Sequence, residues 1–311
     1  MTQQLLEPAR QAPRATRHVF PHYGWIGLAL IAWEEFAMLC YHLGDAPRGG
    51  FWFRMAGWAT PVCWWGYILL VDAWIYRRRG ESLLMNRRQI FWAQCILSVA
   101  FWVMFEGYNV LMPGWTYVEL IEYLPLRYLG YIIAFATIMP GMFETVELVQ
   151  TLGWCKGWKR QAASGKSQAA IPDFLLHFSI ACGLLFVLVP PLLGPNDGPY
   201  LWALVWCGWV FLLDPINYRR GGQSIFGDWA RGDFSRFAQL MLAGLICGVL
   251  WEFWNYWATT KWEYTFPMLR ALKVFEMPIA GFLGFPPFCV EYFVMFHFLA
   301  LFFTKEDKLR L

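Results

Sequence analysis

Long apolar runs alternate with short polar, mostly basic segments along the whole chain. Eight runs, roughly 22–43, 56–76, 90–112, 127–150, 173–193, 200–217, 237–258 and 276–303, each reach the length at which a helix crosses the ~30 Å hydrocarbon core of a bilayer. The pattern predicts an all-α integral membrane protein of about eight transmembrane helices. Trp and Tyr crowd the ends of the runs, where rings anchor at the headgroup level. The sixth run is short and holds Asp214-Pro215, so a tilt, a kink or a partly re-entrant course is expected there.

Lysine and arginine set the orientation. They gather before run one (Arg10, Arg14, Arg17), after run two (Arg77, Arg78, Arg79, Arg87, Arg88), and after run four (Lys156, Lys159, Arg160, Lys166). They gather again after run six (Arg219, Arg220, Arg231, Arg236) and after run eight (Lys305, Lys308, Arg310). The alternate loops are poorer, with the exception of 259–274, which holds Lys261, Arg270 and Lys273. The positive-inside bias places both termini in the cytoplasm of a multi-pass protein of a bacterial inner membrane. The first 20 residues lack the apolar core and small-residue cleavage site of a signal peptide, so the first run reads as a retained helix.

The polar positions repeat. Glu106, Asn109, Trp115-x-Tyr117, Pro140 and Glu144 correspond to Glu252, Asn255, Trp262-x-Tyr264, Pro287 and Glu291 at an offset of 146 or 147 residues. Earlier, Asp72-x-x-x-Tyr76-Arg77-Arg78-x-Gly80-x-Ser82 corresponds to Asp214-x-x-x-Tyr218-Arg219-Arg220-x-Gly222-x-Ser224. This predicts a tandem 4+4 duplication: a first four-helix repeat over 1–155, a polar linker over 156–172, and a second repeat over 173–311. An even number of spans per half makes the two repeats parallel, related by an axis along the membrane normal.

Composition narrows the classes. The chain is 58% hydrophobic and 20% aromatic, and only 15% charged against about 25% in soluble domains. No basic stripe suggests nucleic acid. The eight cysteines are scattered without metal-ligand spacing, so neither a zinc site nor a disulfide framework is indicated, and no cofactor motif is present.

Acids inside apolar runs carry the chemistry, because a carboxylate at mid-bilayer costs about 2.5–3.5 kcal/mol on insertion scales. Glu106/Asn109 and Glu252/Asn255 each share a helix face and suggest either a pocket or interhelical hydrogen bonding. Glu144 and Glu291 each follow a proline by one turn, where a kink would leave a carbonyl to be met by a neighbour. Asp72 and Asp214, next to Arg77 and Arg219, read either as a polar gate or as acid–arginine pairs that hold helix ends.

The order Trp251-Glu252, Trp262-x-Tyr264, Gly281 to Gly284, then Pro287 with Glu291-Tyr292-Phe293 resembles the membrane-bound lycopene cyclase domain of the heterodimeric bacterial and fungal type, a unit that commonly occurs twice. The resemblance covers about 50 residues of each half. This chain has Pro-x-x-x-Glu where that family has Pro-x-Glu-Glu. The resemblance implies redox-neutral, cofactor-free cyclisation of a carotenoid or other polyprenoid by proton addition and removal. Glu291 and Glu144 would be the acid/base pair and Glu252 and Glu106 their helpers. Asn255 and Asn109 would orient the acids, and Trp262, Trp115, Tyr264 and Tyr117 would contact substrate. The implied partners are the lipid bilayer and a hydrophobic isoprenoid-like ligand, and the sequence names no protein partner. Repeats with buried acids also suit an ion-coupled transporter, and the aromatic spans a non-catalytic subunit that binds lipid or pigment.

Overall fold

The computed structural model describes residues 18–159, 170–268 and 272–303. Arg10, Arg14, Arg17, Arg160, Lys166, Arg270, Lys305, Lys308 and Arg310, and most of the 156–172 linker, lie outside the described residues.

Nine helices of 12 or more residues form the described frame: α1 (His22–Leu43), α2 (Ala59–Arg79), α3 (Arg88–Leu111), α4 (Leu124–Phe135), α5 (Ile138–Leu152), α6 (Asp173–Leu192), α7 (Trp202–Arg219), α8 (Ser235–Trp257) and α9 (Phe285–Phe303). Two strands, β1 (Trp115–Val118) and β2 (Lys261–Tyr264), add a short antiparallel ribbon. Among the described residues, seven segments are long and apolar enough to span a membrane, with α4 and α5 counted as one. The chain is a multi-pass α-helical membrane protein. Of the eight expected spans, the second is α2, which matches them in length, but Asp72 and its Trp and Tyr residues lower its mean hydropathy.

Outward faces are apolar, as lipid requires: Ile96 is 71% exposed and Phe178 66%. Inward faces close on small residues. A Cβ on Gly66 of α2 would sit 2.8 Å from the Gly27 carbonyl of α1, and one on Gly183 of α6 would sit 2.4 Å from the Leu212 amide of α7. Apolar side chains gain little by leaving lipid for one another, so backbone approach and dispersion hold such pairs. The inner helices α5 and α9 pack against α8, while α2 and α3 flank α5, and α7 flanks α9.

The prolines act differently from expectation. Pro140 and Pro287 lie in the first turns of α5 and α9, where backbone N–H groups have no intrahelical acceptor, so neither breaks a hydrogen bond in mid-helix. The fourth run is instead interrupted at Ala136-Thr137, between α4 and α5. In the sixth run, where a tilt, a kink or a partly re-entrant course is expected from the sequence, α7 is one helix through Asp214-Pro215. The Phe211 carbonyl that Pro215 deprives of its donor accepts a 2.8 Å bond from the Ser179 hydroxyl of α6.

At Gly244 a Cβ would meet the Phe285 carbonyl at 2.4 Å and the Pro286 Cα at 2.9 Å, both backbone, whereas nothing lies within 4 Å of one at Gly107. Gly244→Ala is expected to lower stability by about 1–3 kcal/mol. Gly107→Ala is expected to leave it unchanged or slightly raised. Thermal unfolding in detergent, read by circular dichroism, checks both.

Candidate functional site: an aromatic cavity beside a two-strand ribbon

Each ribbon strand is tied to the helix before it by an asparagine. Asn109 in the last turn of α3 accepts from the Gly114 and Trp115 amides (2.8 and 3.1 Å) and donates to the Trp115 carbonyl (3.0 Å). Asn255 in the last turn of α8 accepts from the Trp262 amide (2.9 Å) and donates to the Trp262 carbonyl (2.8 Å). Both asparagines therefore hold strand backbone, and Asn109 is also a hydrogen-bond neighbour of Glu106. Strand side chains alternate in direction, so Trp115 and Tyr117 share one face, as do Trp262 and Tyr264. The antiparallel register sets Trp115 opposite Tyr264 and Tyr117 opposite Trp262. Each tryptophan thus faces the tyrosine of the other motif.

The acids lie behind these rings. Glu106 Oε1 accepts from Tyr117 OH (2.5 Å), Trp102 Nε1 (2.8 Å) and Trp115 Nε1 (3.2 Å). Glu252, fully buried, accepts from Tyr264 OH (2.7 Å), and that hydroxyl in turn accepts from Trp262 Nε1 (2.8 Å). Burial, reinforced by the neighbouring carboxylates, raises the Tyr117 and Tyr264 hydroxyls well above the ordinary phenol range. Both phenols stay protonated at physiological pH and remain donors.

These four aromatic residues line a cavity of about 510 Å³, within the range of small-molecule sites. It lies at the end of the helices remote from the basic loops, among the start of α2, the ends of α3 and α8, and the start of α7. One wall is the α4 face of Arg127, Gly130, Tyr131, Ala134 and Phe135, spaced three and four apart so that they share one side of the helix. Another is Trp202, Ala203, Trp206 and Cys207 of α7, with the same spacing. The rings pack on one another: Trp115 lies 5.0 Å from Trp202, Trp202 stacks on Trp206 at 5.3 Å, and Trp206 meets Phe288 edge-on at 5.1 Å. The sequence reading missed Trp102, Trp202, Trp206 and Arg127. The helical spacing along α4 and α7 was the signal available for the last three.

The structure does not bring the remaining expected residues to this cavity. Glu144 and Glu291 are fully buried in α5 and α9, and neither lines it. Glu144 sits among Asp72, Glu147 and Arg87, and Arg87 donates to both Glu147 oxygens at 2.6 and 2.7 Å. Asp72 and Asp214 do not bond Arg77 or Arg219. Asp72 accepts from Tyr23 OH (2.5 Å), Ser82 Oγ (2.9 Å) and the Leu84 amide (2.9 Å). Asp214 accepts from Ser224 Oγ (2.9 Å) and the Ile225 and Phe226 amides (3.0 and 2.7 Å). Both acids anchor the start of a short helix in the following basic loop. Arg77 is exposed, and Arg219 bonds Asp173 and His177. Among the described residues no group of three or more His, Cys, Asp or Glu side chains is placed to hold a metal ion.

Compared with protein-family models, with curated proteins and with solved structures, the chain matches none. Fold and site together define a class: a multi-pass helical membrane protein with an aromatic cavity backed by hydrogen-bonded carboxyl groups.

The Arg87–Glu147 pair makes a stability prediction. Its side chains are 24% and 2% exposed. Arg87→Gln strands a carboxylate in the interior and is expected to cost about 3–5 kcal/mol. Arg87→Gln combined with Glu147→Gln is expected to recover much of that loss, and denaturant unfolding of the two variants in detergent measures the difference.

Proposed function

We propose that the protein binds an isoprenoid-like chain in the aromatic cavity and isomerises it by proton transfer, as its likeness to the lycopene cyclase domain implies. The observation that carries this reading is the cavity wall itself. Tyr117 and Tyr264 line it, and each hydroxyl is hydrogen-bonded to a carboxyl group, Glu106 or Glu252, beside walls that are mostly apolar. The reaction balances without an oxidant: a proton adds to a terminal double bond of the chain, and the cation so formed is attacked by a second double bond to close a ring. Loss of a neighbouring proton then restores an alkene of unchanged mass. Aromatic faces stabilise the cation while it exists. Tyr117 and Tyr264 are the groups in reach of the ligand. Glu106 or Glu252, when protonated, passes its proton to the tyrosine oxygen as the phenol protonates the alkene, and takes up the proton lost after ring closure by the reverse path.

The same reading includes the tandem architecture, with repeats over 1–155 and 173–311. The exchanged Trp–Tyr pairing of β1 and β2 supports it, since a two-fold axis through Thr116 and Glu263 would interchange the strands. So do Asp72 and Asp214, which bond the same relative positions of the loops that follow them. The clustering of Lys and Arg on alternate loops supports an inner-membrane setting with cytoplasmic termini.

A second reading, ligand binding without turnover, is favoured by one observation: Glu106 Oε1 is already engaged by three donors. One experiment separates the two. One portion of protein purified from its native membrane is extracted with organic solvent, and a second, intact portion is supplied with the extracted isoprenoid in D₂O. The enzyme reading predicts an isoprenoid in the extract and a cyclic product carrying one deuterium. It also predicts that Tyr264→Phe or Glu252→Gln lowers the rate by about 10²–10⁴-fold without loss of the bound ligand. An isoprenoid with no product supports the second reading, and an extract of bulk phospholipid alone contradicts both.

A further inference from the structure

The charges around the cavity are one-sided. Arg127 and Lys261 line it, and no Asp or Glu does. Lys261 is already paired, because its Nζ bonds Glu276 and lies 5.6 Å from the centre of the Tyr256 ring. Arg127 is not. Its Nε donates to the Ile121 carbonyl at 2.6 Å, which fixes the stem of the side chain, and its terminal nitrogens bond no described residue. The nearby acid Glu119 pairs with Arg48. Arg127 is partly buried, one turn before Tyr131 on the α4 face that forms the cavity wall. A guanidinium is always charged, and two of its nitrogens present a planar fork that fits a phosphate or carboxylate. Left without an anion beside apolar walls, the charge is poorly compensated.

We infer that the ligand of this cavity is an amphiphile with an anionic head, a phosphate, diphosphate or carboxylate, held by Arg127 while the aromatic walls hold its isoprenoid chain. This rests on the isoprenoid reading given above and narrows it from neutral hydrocarbons to acidic ones. The anchored stem leaves the free end of Arg127 to act as a clamp on the head. The chain then extends along Tyr131, Trp102 and Trp206, whose rings accept any alkene face.

The test is a titration of the full-length protein in detergent, followed by quenching of its tryptophan fluorescence, with geranylgeranyl diphosphate and geranylgeraniol as probes. The diphosphate is expected to bind about 10- to 100-fold more tightly than the alcohol, the range of a charge-assisted contact. Arg127→Gln is expected to abolish that preference while leaving the affinity for the alcohol unchanged, which also reports that the variant is folded. Arg127→Lys, which keeps the charge without the fork, is expected to retain part of it. Equal binding of the two probes, or a preference that survives in Arg127→Gln, overturns the inference while leaving the isoprenoid reading standing. Binding of neither probe overturns that reading as well. Phosphatidylglycerol serves as the competitor: failure to displace the diphosphate at equal concentration supports an isoprenoid source for the anion, and displacement assigns the site to bulk lipid head groups and overturns the assignment.

Discussion

Two carboxyl groups near the helix ends, Glu106 and Glu252, are met by hydrogen-bond donors from the strands that follow, and that pairing builds the site. Glu106 and Glu252 sit in the helix ends that lead into the two strands. The donors that meet them are the indole and phenol groups of those same strands, Trp115, Tyr117 and Tyr264. Hydrogen bonds to charged groups contribute about 1.5–3 kcal/mol each, and an unmet buried charge costs more. The acids therefore fix which way the strand side chains point, and the rings so fixed become the wall of the cavity. The asparagines one turn further along do the same for the strand backbone.

Elsewhere in the interior, several polar groups are met locally, by a short-helix start at Asp72 and Asp214, by Arg87 at Glu147, and by Ser179 at the carbonyl that Pro215 leaves open. The carboxyl oxygens of Glu144 and Glu291, in contrast, are buried without a hydrogen-bond partner among the described residues. Toward the cavity lie mainly aromatic and aliphatic side chains and the Arg127 guanidinium, whose terminal nitrogens bond no described residue. Such a surface is chemically selective. Ring faces favour alkenes and transient cations over water, and dispersion with rings suits a long unsaturated chain.

Much of this was legible in the sequence, and the failures are informative. The membrane spans were readable because length and hydropathy are local properties. The acid–asparagine–Trp-x-Tyr order was readable because it occurs twice, although the asparagines turned out to hold strand backbone. The cavity was not readable, because its walls come from segments as far apart in the chain as Gly57 and Phe288, and only packing assembles them. Glu144 and Glu291 do not line this cavity: spacing records neighbours along a helix and not which cavity a side chain reaches. The partners of Asp72 and Asp214 were misjudged because adjacent arginines drew attention. Ser82 and Ser224, each beginning a short helix, were visible in the same motif and are the residues the aspartates bond.

The two Trp-x-Tyr motifs meet in one register and form the cavity wall together. Paired cysteines test it most directly. Thr116 and Glu263 are opposite each other at the centre of the ribbon, and the Cα separations of directly opposed strand residues, about 4.5–5.5 Å, suit a disulfide. In a background without other cysteines, Thr116→Cys with Glu263→Cys is expected to cross-link on mild oxidation, as identified by mass spectrometry of the linked peptides. Thr116→Cys paired with Lys261→Cys, off register, is expected not to. Cross-linking of the off-register pair in preference to the opposed one would contradict the account.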